Sequence, residues 1–367
     1  MEDRSHLTTL KGAYDHEMME VTLRVRRYAG EGSRAHTETY TVEVPVTATL
    51  LDCLDEIKDK QDGTLAFRKS CRMAVCGSCG MRMDGGAVLA CKTAMKPLVE
   101  RGHVPVISPM GNLPVIKDLV VDMEPFWAKI RAVKPFLQTE EHPEKEHLVA
   151  APVQQANIGK EALCIMCGCC VSECNSMESD PDFLGPAALA KAQRFVGDQR
   201  EGDDDRRARL KDLNGAHGIW DCTRCYFCNQ RCPKGVDPRD AIAKLGAQTF
   251  RFGSGSEFGA KTNMFAPVGT IVEPGVAHAQ VFVDSTHKGG FLDETQLVPK
   301  TIGPLAAALD VPFALRLARA GKVPNPLHKH KAKNNDEVKR LWKLLERQAR
   351  EHDELGTNHP SLIDSHD

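Results

Sequence analysis

The chain has 367 residues, 41% of them hydrophobic and 27% charged, with acids and bases mixed to a formal net charge of -2. That length gives room for two or three domains with aliphatic cores. The balance excludes a chain disordered throughout and a nucleic-acid binder with a basic stripe. The opening MEDRSHLTTLKGAYDHEMME lacks an apolar core, and no apolar run approaches the roughly 18 residues a membrane helix needs, so neither a secretory signal nor a spanning helix is expected.

Residues 1–18 are read as an N-terminal extension. Residues 19–28 (MEVTLRVRRY) and 37–46 (TETYTVEVPV) alternate apolar and polar side chains and predict two strands, joined by a turn at Gly30 to Ser33. Residues 48–61 predict a short helix with Leu50, Leu51, Leu54 and Ile57 on one side; Cys53 within it reads as a small buried hydrophobe. A Gly-rich cysteine loop follows, with short strands near 81–83 and 87–90. Together these predict an α+β domain of plant-type ferredoxin-like (β-grasp) form over 19–137, in which 115–137 bridges to the next unit.

Residues 138–154 are read as a linker, with 140–147 charged and solvated. From 155 to 251 the pattern is helical, with helices expected at Pro186 to Phe195 and Pro238 to Phe250, and the domain reads as all-α and bacterial-ferredoxin-like. Residues 252–367 form a partly helical C-terminal extension. Its 252–300 stretch, with Gly and Pro throughout, reads as irregular, and 304–320 as a short helix. Residues 336–351 predict an amphipathic helix with Val338, Leu341, Trp342 and Leu345 on one face, suited to docking on this protein or a partner subunit; a membrane-surface helix is the second reading.

Fourteen cysteines in a chain without a visible signal point to metal ligation rather than disulfides. Cys71, Cys76, Cys79 and Cys91 stand in the x4–x2–x11 order of plant-type ferredoxins, which hold a [2Fe–2S] cluster on four thiolates. Gly77 and Gly80 keep Cβ atoms away so that backbone N–H groups can approach the sulfurs, and Gly85 and Gly86 turn the chain before Cys91. A zinc site is the competing reading, but zinc ribbons pair two C-x2-C knuckles, which this spacing does not.

Cys164-x2-Cys167-x2-Cys170-x3-Cys174 and Cys222-x2-Cys225-x2-Cys228-x3-Cys232-Pro233 are two bacterial ferredoxin runs. In such proteins the fourth cysteine of each run ligates the other cluster. The expected sets are therefore Cys164, Cys167, Cys170 and Cys232 for one [4Fe–4S] cluster, and Cys174, Cys222, Cys225 and Cys228 for a third centre. Cys169 is left over, as an inert buried thiol or an alternative ligand. Paired zinc sites are the rival here too.

Three clusters in one chain make an electron path. No Ser/His/Asp or Cys/His arrangement, dinucleotide fingerprint or P-loop is visible, so no catalytic residue is assigned. Bond-making chemistry is expected on a flavin in another chain.

In CRMAVCGSCGMRMDGGAVLACKT (71–93), DLVVDMEPFWAKIRAVKPFL (118–137), CIMCGCCVSEC (164–174), DFLGPAALAKAQRF (182–195) and CPKGVDPRDAI (232–242), the chain resembles the iron–sulfur subunit of the succinate dehydrogenase and fumarate reductase family. The resemblance spans residues 19–250. It implies a flavoprotein partner carrying covalent FAD and a membrane anchor that handles quinone, often with haem. It also implies attachment to the cytoplasmic face of the membrane through those partners. Electrons would pass from FAD through the Cys71 set and the Cys164 set to the third centre near quinone.

Two positions depart from the commonest family pattern. Most members hold a [3Fe–4S] third cluster on residues matching Cys174, Cys222 and Cys228, with a non-cysteine at the place of Cys225. The extra thiolate here implies a [4Fe–4S] third centre, or [3Fe–4S] if Cys225 is not a ligand. After Cys174 the sequence Asn175-Ser176-Met177-Glu178-Ser179-Asp180, and Thr223 after Cys222, replace the segments that line the usual quinone pocket. These departures, and 314–331 in the tail, resemble an atypical branch of the family. The competing functions are a free-standing polyferredoxin carrier, the same wiring subunit serving another flavoprotein dehydrogenase, and a zinc-stabilised scaffold.

Overall fold

A computed structural model describes residues 17–30, 32–139, 158–253, 274–292, short pieces between 296 and 320, and 333–354. The expected connector at 140–147, most of the helix expected at 304–320, and residues 1–16 lie outside the described residues. The chain divides into two compact units. One comprises 1–132 with the inserted segments 163–181 and 225–238; the other comprises 133–162, 182–224 and 239–367.

The first unit is built on a five-stranded sheet in the order β2-β1-β5-β3-β4, where β1 is Met18–Arg27, β2 His36–Pro45, β3 Gly80–Met83, β4 Gly86–Leu89 and β5 Val106–Ser108. β1 and β2 pair antiparallel over their full length, with Leu23 opposite Tyr40 and Val21 opposite Val42. The period-two pattern points Val21, Leu23 and Val25 to one face, and all three are buried. β5 runs parallel to β1 and antiparallel to β3.

The helix Leu50–Lys60 covers this sheet with Leu50, Leu51, Leu54 and Ile57, all buried, and Cys53 is buried among them in the same core. The helix starts where Thr49 and Asp52 form a capping box. The Asp52 N–H donates to Thr49 Oγ1 at 3.4 Å, and the Thr49 N–H donates to Asp52 Oδ2 at 2.9 Å. Thr49→Ala is expected to cost about 1 kcal/mol, seen as a lowered thermal midpoint with the iron content unchanged.

A buried ion network ties this sheet to the loop that leads into the first cysteine group. Arg27, 7% exposed, donates through Nε to Asp118 Oδ1 at 3.0 Å and through the other guanidinium nitrogens to Glu38 at 2.7 Å, Thr64 at 2.9 Å, Asp62 and Tyr40. Asp118 also accepts the N–H groups of Tyr28 at 3.0 Å and Ala66 at 2.9 Å. One carboxylate thus holds the end of β1 and the approach to Cys71 together. Downstream, the strands Val115–Lys117 and Val120–Val121 form a small hairpin, and the helix Glu124–Ala132 buries Phe126 and Ile130.

The second unit is helical. The helix Gly185–Val196 packs against Gly159–Ala162 and against Asp203–Asn214. Proline stands in its first turn, as the sequence suggested. Arg209 is buried, paired with Glu201 at 2.6 Å, and donates to the carbonyls of Val133, Lys134 and Phe136, the last at 3.2 Å. A single guanidinium thus ties together three carbonyls of the irregular 133–136 stretch.

The stretch 252–300, expected to be irregular, contains a helix over Pro274–Gly289. Gly and Pro cluster only at its ends, and Ala277, Val281 and Ser285, four apart, are buried on one face. Gly275 at its start lies directly on the Trp220 indole, leaving no space for a Cβ. The amphipathic helix of the tail is present as Asn335–Glu354; it packs against Pro274–Gly289, with the His287 and Trp342 rings 5.6 Å apart.

Candidate iron–sulfur sites

None of the fourteen cysteines is joined in a disulfide. The first group sits on the loop between the Leu50–Lys60 helix and β3, with Cys91 in a one-turn 3-10 helix after β4. The loop alternates handedness: Arg72 at φ 57°, Ala74 at φ 56° and Gly77 at φ 75° are left-handed. Such alternation turns successive N–H groups inward and makes a concave nest for an anion. The N–H of Cys76 donates to Cys71 Sγ at 3.3 Å, that of Val75 to Cys71 Sγ at 3.4 Å, that of Ala74 to Cys91 Sγ at 3.3 Å and that of Cys91 to Cys79 Sγ at 3.5 Å. Four thiolates lined by backbone donors fit a [2Fe–2S] cluster, whose sulfurs carry negative charge. The Ser78 hydrogen bonds and the Cys71 N–H hold the Cys76 thiol down at about 6. Burial pushes Cys79 up to about 12, and ligation of a metal requires its deprotonated form.

Gly77 and Gly80 do more than admit N–H groups. A Cβ on Gly77 would lie 2.8 Å from both Cα and Cβ of Cys167, and one on Gly80 would lie 3.1 Å from the Cys167 carbonyl oxygen. The backbone of the first cysteine loop therefore rests directly on a cysteine of the second group.

The two later runs fold alike. Met166 and Gly168 are left-handed, at φ 54° and 79°, and so are Arg224 and Tyr226 at the same offsets in the other run, at φ 56° and 65°. Each run then enters a one-turn helix, Cys169–Ser172 or Phe227–Gln230, and these two pack together in the first unit. That brings Cys170 and Cys232 into one neighbourhood. The Cys170 thiol is held well above its usual range by burial, then by the charges of Cys167, Cys164, Cys228 and Cys232. Cys169 is buried and its thiol is raised by its hydrogen bond to Cys167 and by burial, while the same bond brings Cys167 down to about 7. Of the residues expected around the third centre, Cys174, Cys225 and Cys228 belong to the first unit and Cys222 to the second.

Sequence reasoning missed the groups that brace these loops. Asn112 donates from Nδ2 to the carbonyls of Val171 at 2.8 Å and Cys174 at 2.9 Å, and the Gly111 N–H donates to Ser172 Oγ at 3.0 Å. Arg82 pairs with Glu173 at 2.7 Å and reaches the Ser172 carbonyl. The exposed carbonyl end of the Cys169–Ser172 helix is thereby satisfied. The only signal in the sequence was the Gly111-Asn112 pair, a turn dipeptide that supplies the left-handed Asn112 at φ 59°. Asn112→Leu removes the side-chain donor from the Val171 and Cys174 carbonyls, each of which keeps one backbone N–H, from Cys174 and Glu178, so the cost is about 1 kcal/mol. Faster loss of iron to a chelator, with the [2Fe–2S] absorption retained, is the expected result.

The folds and the cysteine loops define an iron–sulfur electron carrier, with a ferredoxin-like domain of each type. The 2Fe-2S iron-sulfur cluster binding domain family matches residues 22–128, and the 4Fe-4S dicluster domain family matches residues 162–236. The fumarate reductase iron-sulfur subunit of Mycobacterium tuberculosis is 44% identical over 240 residues, 63% of this chain and 94% of that protein. That of Haemophilus influenzae is 39% identical over 235 residues, 60% of this chain and 90% of that one. The 8-methylmenaquinol:fumarate reductase iron-sulfur subunit of Wolinella succinogenes is 36% identical over 305 residues, 81% of this chain and 89% of that one. A chain of the Mycobacterium smegmatis Sdh1 complex in the apo form has the same fold, with a TM-score of 0.59 and 23% identity over 66% of this chain and 100% of that one. The chain belongs to the family of iron–sulfur subunits of fumarate reductase and succinate dehydrogenase, and its function is electron transfer in a succinate:quinone oxidoreductase.

Proposed function

We propose that the chain carries single electrons between FAD on a flavoprotein subunit and quinone at a membrane subunit, through three centres. The packing of the two short helices Cys169–Ser172 and Phe227–Gln230 carries this reading, because it sets the two cysteine runs side by side as crossed ligation requires. Cys71, Cys76, Cys79 and Cys91 would hold [2Fe–2S]; Cys164, Cys167, Cys170 and Cys232 would hold [4Fe–4S]; Cys174, Cys222, Cys225 and Cys228 would hold a second [4Fe–4S]. Bound clusters supply one-electron redox chemistry. The chain's own residues place the sulfurs, line the first set with N–H donors and bury Cys79, Cys170, Cys174 and Cys228 from water. None of these residues makes or breaks a bond in the substrate.

The domain division is proposed as 19–137, 155–251 and 252–367, with 1–18 an extension, 138–154 a linker, and the tail docking on a partner subunit. No helix among the described residues is long and apolar enough to cross a membrane. Attachment to the cytoplasmic membrane face through partner subunits, possession of haem there, and the covalent FAD are parts of the same proposal.

Purification of the native assembly from its source tests it. The expected result is a flavin-bearing subunit and a membrane-derived subunit that copurify with this chain, and centres that are reduced by succinate or reoxidised by fumarate. A chain that purifies alone and answers to neither acid would overturn it.

A further inference from the structure

We propose that Gly77 and Gly80 are positioning residues that press the first cysteine loop onto Cys167, and that this contact is the crossing point for electrons between the first two centres. The inference rests on both cysteine sets holding clusters, as proposed above. Each glycine adjoins a ligand of the first centre, Gly77 following Cys76 and Gly80 following Cys79. Both turn their bare Cα toward the same residue of the second set. The space for a Cβ at Gly77 is occupied by Cys167 Cα and Cβ, each 2.8 Å away, and by the Ile165 carbonyl at 3.2 Å. At Gly80 it is bounded by the Cys167 carbonyl and Met110 Sδ, both at 3.1 Å.

Neither side could retreat cheaply. Gly77 meets backbone and a cluster ligand rather than the tip of a flexible side chain, and Ile165 and Cys167 are themselves packed on the core of the sheet domain. No side chain stands between Gly77 and Cys167. A single electron crosses this contact with no bond formed or broken and no proton moved, and tunnelling weakens steeply as the gap widens. A methyl group at either glycine would widen it.

Three alanine variants of the assembled complex separate this role from backbone strain. Gly85 is left-handed, at φ 79°, with nothing within 4 Å of its Cβ position, so Gly85→Ala adds strain alone. Gly80→Ala adds contact without a left-handed φ. Gly77→Ala adds both, at φ 75°. Each variant is assayed for iron and sulfide content, for magnetic coupling between the reduced first and second centres by EPR, and for the rate of electron passage after flash reduction.

The expected result is full iron content with weakened coupling and several-fold slower passage in Gly77→Ala and Gly80→Ala, and wild-type behaviour in Gly85→Ala. Unchanged coupling and rate in fully loaded Gly77→Ala and Gly80→Ala would overturn the proposal. Gly80→Ala decides alone if Gly77→Ala fails to load iron. Loss of iron from both, with Gly85→Ala intact, would show that the glycines serve assembly instead and would equally overturn it. Low iron in the wild-type protein would refute the proposed function and not this contact.

Discussion

Cys225→Ala is expected to change the third centre from four irons to three. Three thiolates from Cys174, Cys222 and Cys228 then remain, the set that resembles the commoner members of the family. The oxidised variant should show the EPR signal of a three-iron centre in stoichiometric amount, and the wild type should show none. The change of cluster type should also shift the reduction potential of that centre, since cluster type is one of the terms that set it. The other two centres should be unaffected, because Cys225 belongs to neither of the ligand sets proposed for them. A stoichiometric three-iron signal from undamaged wild-type protein would rule the assignment out.

The second large effect is expected at Asp118. Removing this carboxylate in Asp118→Ala leaves Arg27 buried at 7% exposure without its main acceptor, and leaves the N–H groups of Tyr28 and Ala66 without theirs. Breaking one side of a buried pair typically costs about 3–5 kcal/mol, mostly as the penalty of the charge left behind. Glu38 and Asp62 still face Arg27, so the loss should fall at the lower end of that range. The effect should appear as a lowered thermal midpoint and earlier bleaching of the [2Fe–2S] absorption, since Ala66 leads into the loop carrying Cys71. An unchanged midpoint would show that Arg27 is adequately paired without Asp118.

What the sequence revealed depended on how local the physics was. The β1–β2 hairpin was legible because Val21, Leu23 and Val25 alternate cleanly, and the Leu50–Lys60 helix because its leucines and Ile57 repeat at helical spacing. The cysteine spacings were legible because ligand geometry is imposed by the cluster. The helix Asp203–Asn214 went unseen although its buried residues 206, 209, 210, 213 and 214 follow a helical period. Two of those positions are arginines, whose burial depends on acceptors supplied from distant residues such as Glu201 and Val133. The helix Pro274–Gly289 was hidden by the Gly and Pro residues that bound it. Likewise, Gly77 and Gly80 were readable as loop glycines, but their contact with Cys167 lies across 90 and 87 residues of chain, where spacing carries no signal.

The tail remains the part whose role rests most on partners. Leu341 and Leu344 are 59% and 40% exposed on the Asn335–Glu354 helix, an apolar face without cover among the described residues. The match to the Wolinella succinogenes subunit covers 81% of the chain, more than the two cysteine domains occupy, so part of the sequence outside them has a counterpart there.

The most direct test is the iron and acid-labile sulfide content of the anaerobically purified complex. One two-iron and two four-iron centres require about ten irons and as many sulfides for each copy of this chain. A brown protein with that content would agree with twelve cysteines converging on three clusters. A colourless protein carrying zinc in place of most of that iron would contradict it.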